Sequence, residues 1–301
     1  MSLFSLLGAV EIGLIFALVA LGVYISFRLL DFPDLTVDGS FPLGGAVCAV
    51  LITRGWDPFL ATAIATAAGG GAGFVTGWLN VRLKIMDLLA SILLMIALFS
   101  VNLRVMGGPN IPIINDTTIF TVLQPAWMPD YWARPAIMLV IVVIFKFATD
   151  WFFTTEYGLA MHASGSNQRM ARAQGTNTGA MVLVGMFISN ALVGLGGALF
   201  AQTQGGADVS MGIGTIVVGL AAVIIGEALI PSRRIIFATL AAVVGAIIYR
   251  LFISVALNSD FIGLKAQDLN LVTAILVTLA LVIPRIGKKS KTADRPTAMG
   301  G

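Results

Sequence analysis

Apolar runs of roughly twenty residues follow one another along this chain almost from end to end, at about 5–30, 57–80, 85–106, 135–155, 179–203, 215–230, 235–257 and 270–285. A helix that crosses ~30 Å of hydrocarbon at 1.5 Å per residue needs about 20 such residues. What lies between the runs closes off the soluble folds. Charged residues are only 11% of the 301, against 58% hydrophobic, too few to clothe a soluble surface of this size. The chain reads as an all-α polytopic membrane protein.

The net charge of +3 does not describe a nucleic-acid face. Seven of the eighteen basic residues fall in three short clusters, Arg82/Lys84, Arg233/Arg234 and Lys288/Lys289/Lys291, which read as loop charge setting membrane orientation. Arg28 closes the first run and Arg82/Lys84 the second, and the positive-inside rule puts both ends in the cytoplasm. They can share a side only if the segment between them, Asp31–Thr53, also crosses. That predicts about nine crossings, with the N-terminus outside and the C-terminus inside. Residues 1–287 are expected to form one transmembrane domain and 288–301 a basic, disordered cytoplasmic tail. No basic stretch precedes the first run, so it is expected to stay as a membrane helix rather than be cleaved as a signal.

Asp31–Thr53 is the unusual crossing. Its apolar part, Pro42–Thr53, is twelve residues, about 18 Å as helix. Ahead of it runs Asp31-Phe32-Pro33-Asp34-Leu35-Thr36-Val37-Asp38-Gly39-Ser40. Irregular backbone at membrane depth survives only where protein or a wet cavity surrounds it. With Ser40 as N-cap and Pro42 in the first turn, such a broken half-helix would aim its N–H groups into a cavity. Asp34, Thr36, Asp38 and Ser40 then become candidates for lining a pathway. A short cytoplasmic loop with solvated aspartates is the other reading. Asp34-Leu35-Thr36-Val37 and Asp208-Val209-Ser210-Met211 both precede apolar runs, and Gly45 and Gly219 keep the same offset of 174. One run enters from inside and the other from outside, the pattern of an inverted repeat.

Gly69-Gly70-Gly71-Ala72-Gly73 and Gly287-Lys288-Lys289-Ser290 resemble phosphate loops only in part; neither continues into a Walker motif, so no ATP site or cofactor is expected. Gly69, Gly73 and Gly77, four apart, instead form a small-residue stripe suited to close helix packing. One cysteine, Cys48, and one histidine, His162, leave no disulfide, no metal site and no catalytic triad. Charged residues inside apolar runs are either relay groups or helix-end side chains that snorkel. Lys146, Asp150 and Arg250 read as the latter; Glu11 and Glu227 keep an ion-coupled secondary transporter in view.

The inside loop Glu156–Thr178, 23 residues, is long beside its neighbours. Ser164-Gly165-Ser166-Asn167 offers N-caps, Gln168–Gln174 forms helix, and Gly175 stops it, which predicts a two-turn helix on the inner face. The run from Tyr157 to Gly175 resembles the coupling-helix loop of ABC importer permeases of the branched-chain amino acid and ribose type. Gly158, Ala163, Gly165 and Asn167 fit that family's pattern, and Ala171 and Gly175 keep its alanine–glycine spacing; His162 stands where many relatives carry arginine. Leu30–Phe41, Asp87–Met95 and Ser100–Gly107 resemble the narrower tryptophan/tyrosine-type branch.

The resemblance implies a homodimer in the bacterial inner membrane, two copies of a separate ABC ATPase subunit that binds the ATP, and a periplasmic solute-binding protein. The function it implies is uptake of a small amino-acid-like solute, with no bond chemistry in this chain. Within the loop, Met170 and Ala173, three apart, are expected to anchor on the ATPase, with Ala171 where bulk would block approach.

Overall fold

The computed structural model describes residues 3–258 apart from 115, 126 and 233, together with residue 278. Among the described residues, seven helices are long and apolar enough to cross a membrane, and an eighth, shorter apolar helix joins them. In chain order these are α1 (Leu3–Val23, prolonged by π-helix over Tyr24–Leu29), α2 (Val37–Thr53), α3 (Pro58–Leu83) and α4 (Asp87–Met106). Strand β1 (Asn110–Pro112), the single-turn helix α5 (Ile119–Leu123) and the long α6 (Asp130–Thr154) follow. Then come α7 (Glu156–Ser166), α8 (Gln168–Ala173), α9 (Thr178–Gln204), β2 (Gly206–Asp208), α10 (Thr215–Leu229) and α11 (Ile235–Asn258). The protein is an all-α polytopic membrane protein. The ninth expected run, 270–285, and the tail 288–301 lie outside the described residues.

Helix contacts give each crossing its direction. Ser189 Oγ donates to the Gly22 carbonyl at 2.7 Å, and Gly196 lies against Ile15 and Val19, so α1 and α9 are antiparallel. Gly69 meets Asn190 and Gly194, and Gly77 meets Leu183, so α3 also runs against α9. Thus α1 and α3 point the same way, and α2 must run back between them. It does: Ser40 lies at Asn190 and Cys48 at Gln202, which makes α2 parallel to α9. At 17 residues α2 is about 25 Å long, short of a full span yet longer than the twelve residues expected.

The inverted repeat is realised in this frame. Asp34 Oδ1 accepts from Thr36 N at 2.9 Å ahead of α2, and Asp208 Oδ1 accepts from Ser210 N at 2.7 Å ahead of α10. α10 runs parallel to α1, with Gly219 on Val19 and Val23 and Glu227 at Arg28. Each half is a long helix, an aspartate turn, a shorter helix and another long helix, in opposite directions. β1 and β2 pair antiparallel, Asn110 with Asp208, and hold the chain that leads into α10 against the α4 end.

The glycine stripe packs as its spacing requires. A Cβ at Gly73 would meet the Met186 carbonyl and the Asn190 side chain, and one at Gly69 the Asn190 carbonyl and Gly194. Backbones approach this closely only where small residues face each other, the usual device for joining helices where lipid supplies no hydrophobic drive. Gly71 faces open space.

Candidate functional site

The π-helical end of α1 delivers the acidic segment to the core. Its backbone closes with Leu30 N on the Ile25 carbonyl at 3.0 Å and Phe32 N on Ser26 at 2.9 Å, wider loops than an α-helix makes. Asp31 follows at φ 53 in the left-handed region, exposed. The two sequence readings of the aspartates therefore divide by residue: Asp31 is a solvated loop acid, Asp34 is fully buried, and Asp38 is half-buried.

Asp34 sits in a closed polar network between α2, α3 and α9. Its Oδ2 accepts from Asn190 Nδ2 at 2.7 Å and its Oδ1 from Thr36 N. The Thr36 and Thr76 hydroxyls lie 2.7 Å apart, and Ser40 Oγ donates to Asn190 Oδ1 at 2.6 Å. Thr36 and Ser40 have no exposed surface. Of the four residues expected along a pathway, Asp34, Thr36 and Ser40 turn to protein, and Asp38 alone borders open space.

Ser40 is not the N-cap of α2. The helix begins at Val37, with Thr36 at the cap position, because Asp34 already serves Thr36 N and turns the chain one helical turn earlier. Pro42 accordingly lies inside the helix.

Asp38 caps a different helix from the one it belongs to. Its carboxylate accepts from Gly214 N at 3.2 Å and Ile216 N at 2.8 Å, which satisfies two free N–H groups at the start of α10. The 3-10 turn Val209–Gly212 dips beside it, with Gly212 on the Asp38 carbonyl and the Pro42 ring. α2, entering from the Arg28 end, and α10, entering from the opposite one, thus meet through one carboxylate.

Among the charged residues inside helices, the structure overturns the snorkelling reading for three. Lys146 and Asp150 form a buried ion pair on α6, and Thr239 Oγ1 of α11 donates to Asp150 at 2.6 Å. The Arg250 guanidinium lies over the Phe16 ring, 4.6 Å from its centroid, inside the bundle rather than reaching for water. Glu227 is bound by Arg28 through both oxygens, with Arg28 Nε at 2.7 Å. Glu11 is buried and its Oε1 has no hydrogen-bond partner. Among the described residues, no three of His, Cys, Asp and Glu converge where a metal ion could sit.

On the face that carries the Arg28 and Lys84 ends, the 156–178 segment holds more helix than expected. Its first half, read as loop, is α7, started by the Thr155 hydroxyl, which accepts from Gly158 N at 3.3 Å. Gly158 lies against the Phe152–Phe153 backbone and Gly165 against Leu29–Leu30, so both seat α7 on the bundle. Asn167 then starts the expected short helix, its Oδ1 accepting from Met170 N at 3.1 Å. Gly175 ends it at φ +85, and Thr176 N reaches back to the Ala171 carbonyl at 3.0 Å. Ala163, Met170 and Ala173 face outward, Met170 with 58% of its surface free. Ala171 is buried against its own chain, so bulk there would strike this protein first. Arg172 is tied down, with Nε on Thr178 at 2.8 Å and Nη2 on Gln168 at 3.3 Å.

Asn190 is the site residue the sequence reading passed over. Its signal is an amide in the middle of an apolar run, rare unless it has a polar partner. Gln202, which joins Cys48, Thr62 and the backbone of Ile119, carried the same signal.

A membrane-embedded inverted repeat with a short helix pair on one face makes this a multi-pass membrane protein. The chain belongs to the family described as branched-chain amino acid transport system / permease component, which matches residues 5–283. It is a permease component of the ABC-type sugar and amino acid transport family, whose members similar to it are transport subunits.

It is 37% identical over 295 residues to a tyrosine transport system permease protein of Clostridioides difficile (strain R20291), covering 93% of this chain and 96% of that one. An uncharacterised protein of Rickettsia prowazekii (strain Madrid E) is 34% identical, covering 92% and 96%. The ribose import permease protein of Escherichia coli (strain K12) is 24% identical, covering 83% and 76%. No solved structure matches the chain.

Proposed function

We propose that this chain is the permease of an ABC importer that carries a small amino-acid-like solute, tyrosine or a relative of it, across the bacterial inner membrane. It works as a homodimer with two copies of a separate ATPase and receives solute from a periplasmic binding protein. The observation that carries the reading is the capped α7–α8 pair, whose exposed Ala163, Met170 and Ala173 stand clear of the bundle that seats it. A short helix presenting Met170 and Ala173 is suited to a groove in a partner; of the two arginines beside them, Arg172 is held by Thr178 and Gln168, and Arg169 is exposed. The 37% identity to a tyrosine permease favours the solute class.

ATPase closure would push the α7–α8 pair, and through Gly165 the end of α1, so that the membrane halves exchange outward for inward opening. An ion-coupled transporter would need titrating acids free to exchange; Arg28 binds Glu227 and Lys146 binds Asp150, which leaves Glu11, unpartnered at Oε1, as the helix-borne acid that such a mechanism would have to use. The test is uptake of radiolabelled L-tyrosine into proteoliposomes holding this chain with its cognate ATPase and binding protein. ATP-dependent, vanadate-sensitive uptake is expected. Uptake driven by an ion gradient without the ATPase would sink the proposal.

A further inference from the structure

A second cleft opens on the face that carries the Arg28 and Lys84 ends, the cytoplasmic one by its basic residues. It measures about 440 Å³ and lies between the turn from α3 to α4 and the starts of α8 and α9. Asn80, Lys84 and Asp87 line one side of it, and Gln168, Arg172 and Gly179 the other. Gln168 and Arg172, one turn apart, occupy a different side of α8 from Met170 and Ala173, so a ligand here leaves the outward side of that helix free.

The cleft holds two cations, and among the described residues neither forms an ion pair. Neutral acceptors fix Arg172, with Nε on Thr178 Oγ1 at 2.8 Å and Nη2 on Gln168 Oε1 at 3.3 Å. A guanidinium has five N–H donors, so the other three are left to turn to a ligand. Lys84 ends α3 at φ 55, where glycine is usual, with its side chain exposed. Asp87, the one acid among the lining residues, is engaged by the Asn80 amide. Two positive charges against one negative leave a surplus of one. Asp87 and Gly179 stand in the first turns of α4 and α9, whose positive dipole ends add to that surplus.

The rim is apolar. Ile85 and Met86 also line the cleft, Met86 with 75% of its surface exposed, and Leu83, Leu88 and Leu89 beside them are exposed as well. At the ends of membrane-spanning helices such surface meets acyl chains. A soluble anion would have no use for it.

We propose that this cleft binds the phosphate of an anionic phospholipid of the inner leaflet, and that the bound lipid ties α8 to the turn between α3 and α4. Arg172 takes the phosphate oxygens through its free N–H groups and Lys84 adds a point charge. The acyl chains run along Met86 and Leu89. A zwitterionic lipid would bring a cation of its own to a site already in positive surplus.

The test uses the purified full-length chain in detergent with an equal mixture of palmitoyl-oleoyl phosphatidylglycerol and phosphatidylcholine, bound lipid being counted by native mass spectrometry. Phosphatidylglycerol is expected to be retained at least tenfold over phosphatidylcholine. Lys84→Asn, which still suits the left-handed turn, and Arg172→Gln should each lower its retention about fivefold, the worth of one basic residue at an anionic surface. Arg82→Gln with Arg169→Gln removes two exposed charges from the same face outside the cleft and should leave retention unchanged. The exposed Lys84 keeps the test open should Arg172→Gln fail to fold. Undiminished retention in Lys84→Asn, or an equal loss in the Arg82 and Arg169 pair, would overturn the site. Displacement of the lipid by millimolar inorganic phosphate would give the cleft to a soluble anion and overturn the lipid.

Discussion

Replacing Asn190 by Leu keeps the shape of the side chain and removes its hydrogen bonds to Asp34, ahead of α2, and to Ser40 within it. Asp34 Oδ2 loses its partner at 2.7 Å and Ser40 Oγ its acceptor at 2.6 Å. A hydrogen bond to a charged group contributes about 1.5–3 kcal/mol. Ser40 can fall back on the Val37 carbonyl at 3.5 Å, so its share is near the ~1 kcal/mol of an ordinary bond. The expected loss is therefore about 2–4 kcal/mol, against about 1 kcal/mol for Ser40→Ala. Because unfolding of membrane proteins in detergent is rarely reversible, the readout is the half-life of the monodisperse protein at fixed temperature, compared among variants. Asn190→Leu should shorten that half-life well beyond Ser40→Ala, and the double variant should be no worse than Asn190→Leu alone, since the two share one bond. If Asn190→Leu is as durable as Ser40→Ala, the buried Asp34 is not held by this amide and the network is misdescribed.

Gly73→Leu should abolish accumulation of folded protein, because its Cβ would meet the Met186 carbonyl, while Gly71→Ala should be neutral in the same expression and gel-filtration assay. Lys146→Met should cost about 3–5 kcal/mol by leaving Asp150 buried without its cation, and Lys146→Met with Asp150→Asn should recover part of the loss in thermal half-life. Met170→Glu with Ala173→Glu should break co-purification with the ATPase yet leave this chain intact. Ala171→Trp should lower the yield of the chain itself, and the reverse pattern would place the docking face elsewhere.

Membrane architecture was legible because it is written in runs of composition. The predicted starts and stops of the long helices fall within a few residues of those observed, apart from α6, which starts at Asp130 against a predicted 135, and the repeated aspartate turn was visible as Asp34 and Asp208. What stayed hidden depends on which side of a helix a residue faces. Ser40 looks like a cap in sequence, but Asp34 turns the chain first, and a capping preference worth about 1 kcal/mol gives way to a buried carboxylate with two partners. Asp150 and Arg250 lie near helix ends where snorkelling is easy; α11 supplies Thr239 to Asp150 and α1 supplies the Phe16 ring to Arg250, and neither partner can be guessed without the packing. In the 156–178 segment the capping residues marked α8, whereas α7 carries no amphipathic stripe to betray it.

α2 meets protein along its length, α3, α4 and α9 around it and the 209–212 turn at its start. This has a consequence for biogenesis. A 17-residue helix carrying Asp38 is a poor candidate for partitioning into lipid by itself, since one aspartate at mid-bilayer costs about 2.5–3.5 kcal/mol. The amide that anchors its start, Asn190, lies 150 residues further along than Ser40. At a synthesis rate of about 5–20 residues per second, roughly 8–30 s pass before that anchor leaves the ribosome. Through that interval α2 is committed to a site whose far wall does not yet exist, and the nascent chain is at its most exposed to membrane proteases between the making of α3 and the arrival of α9.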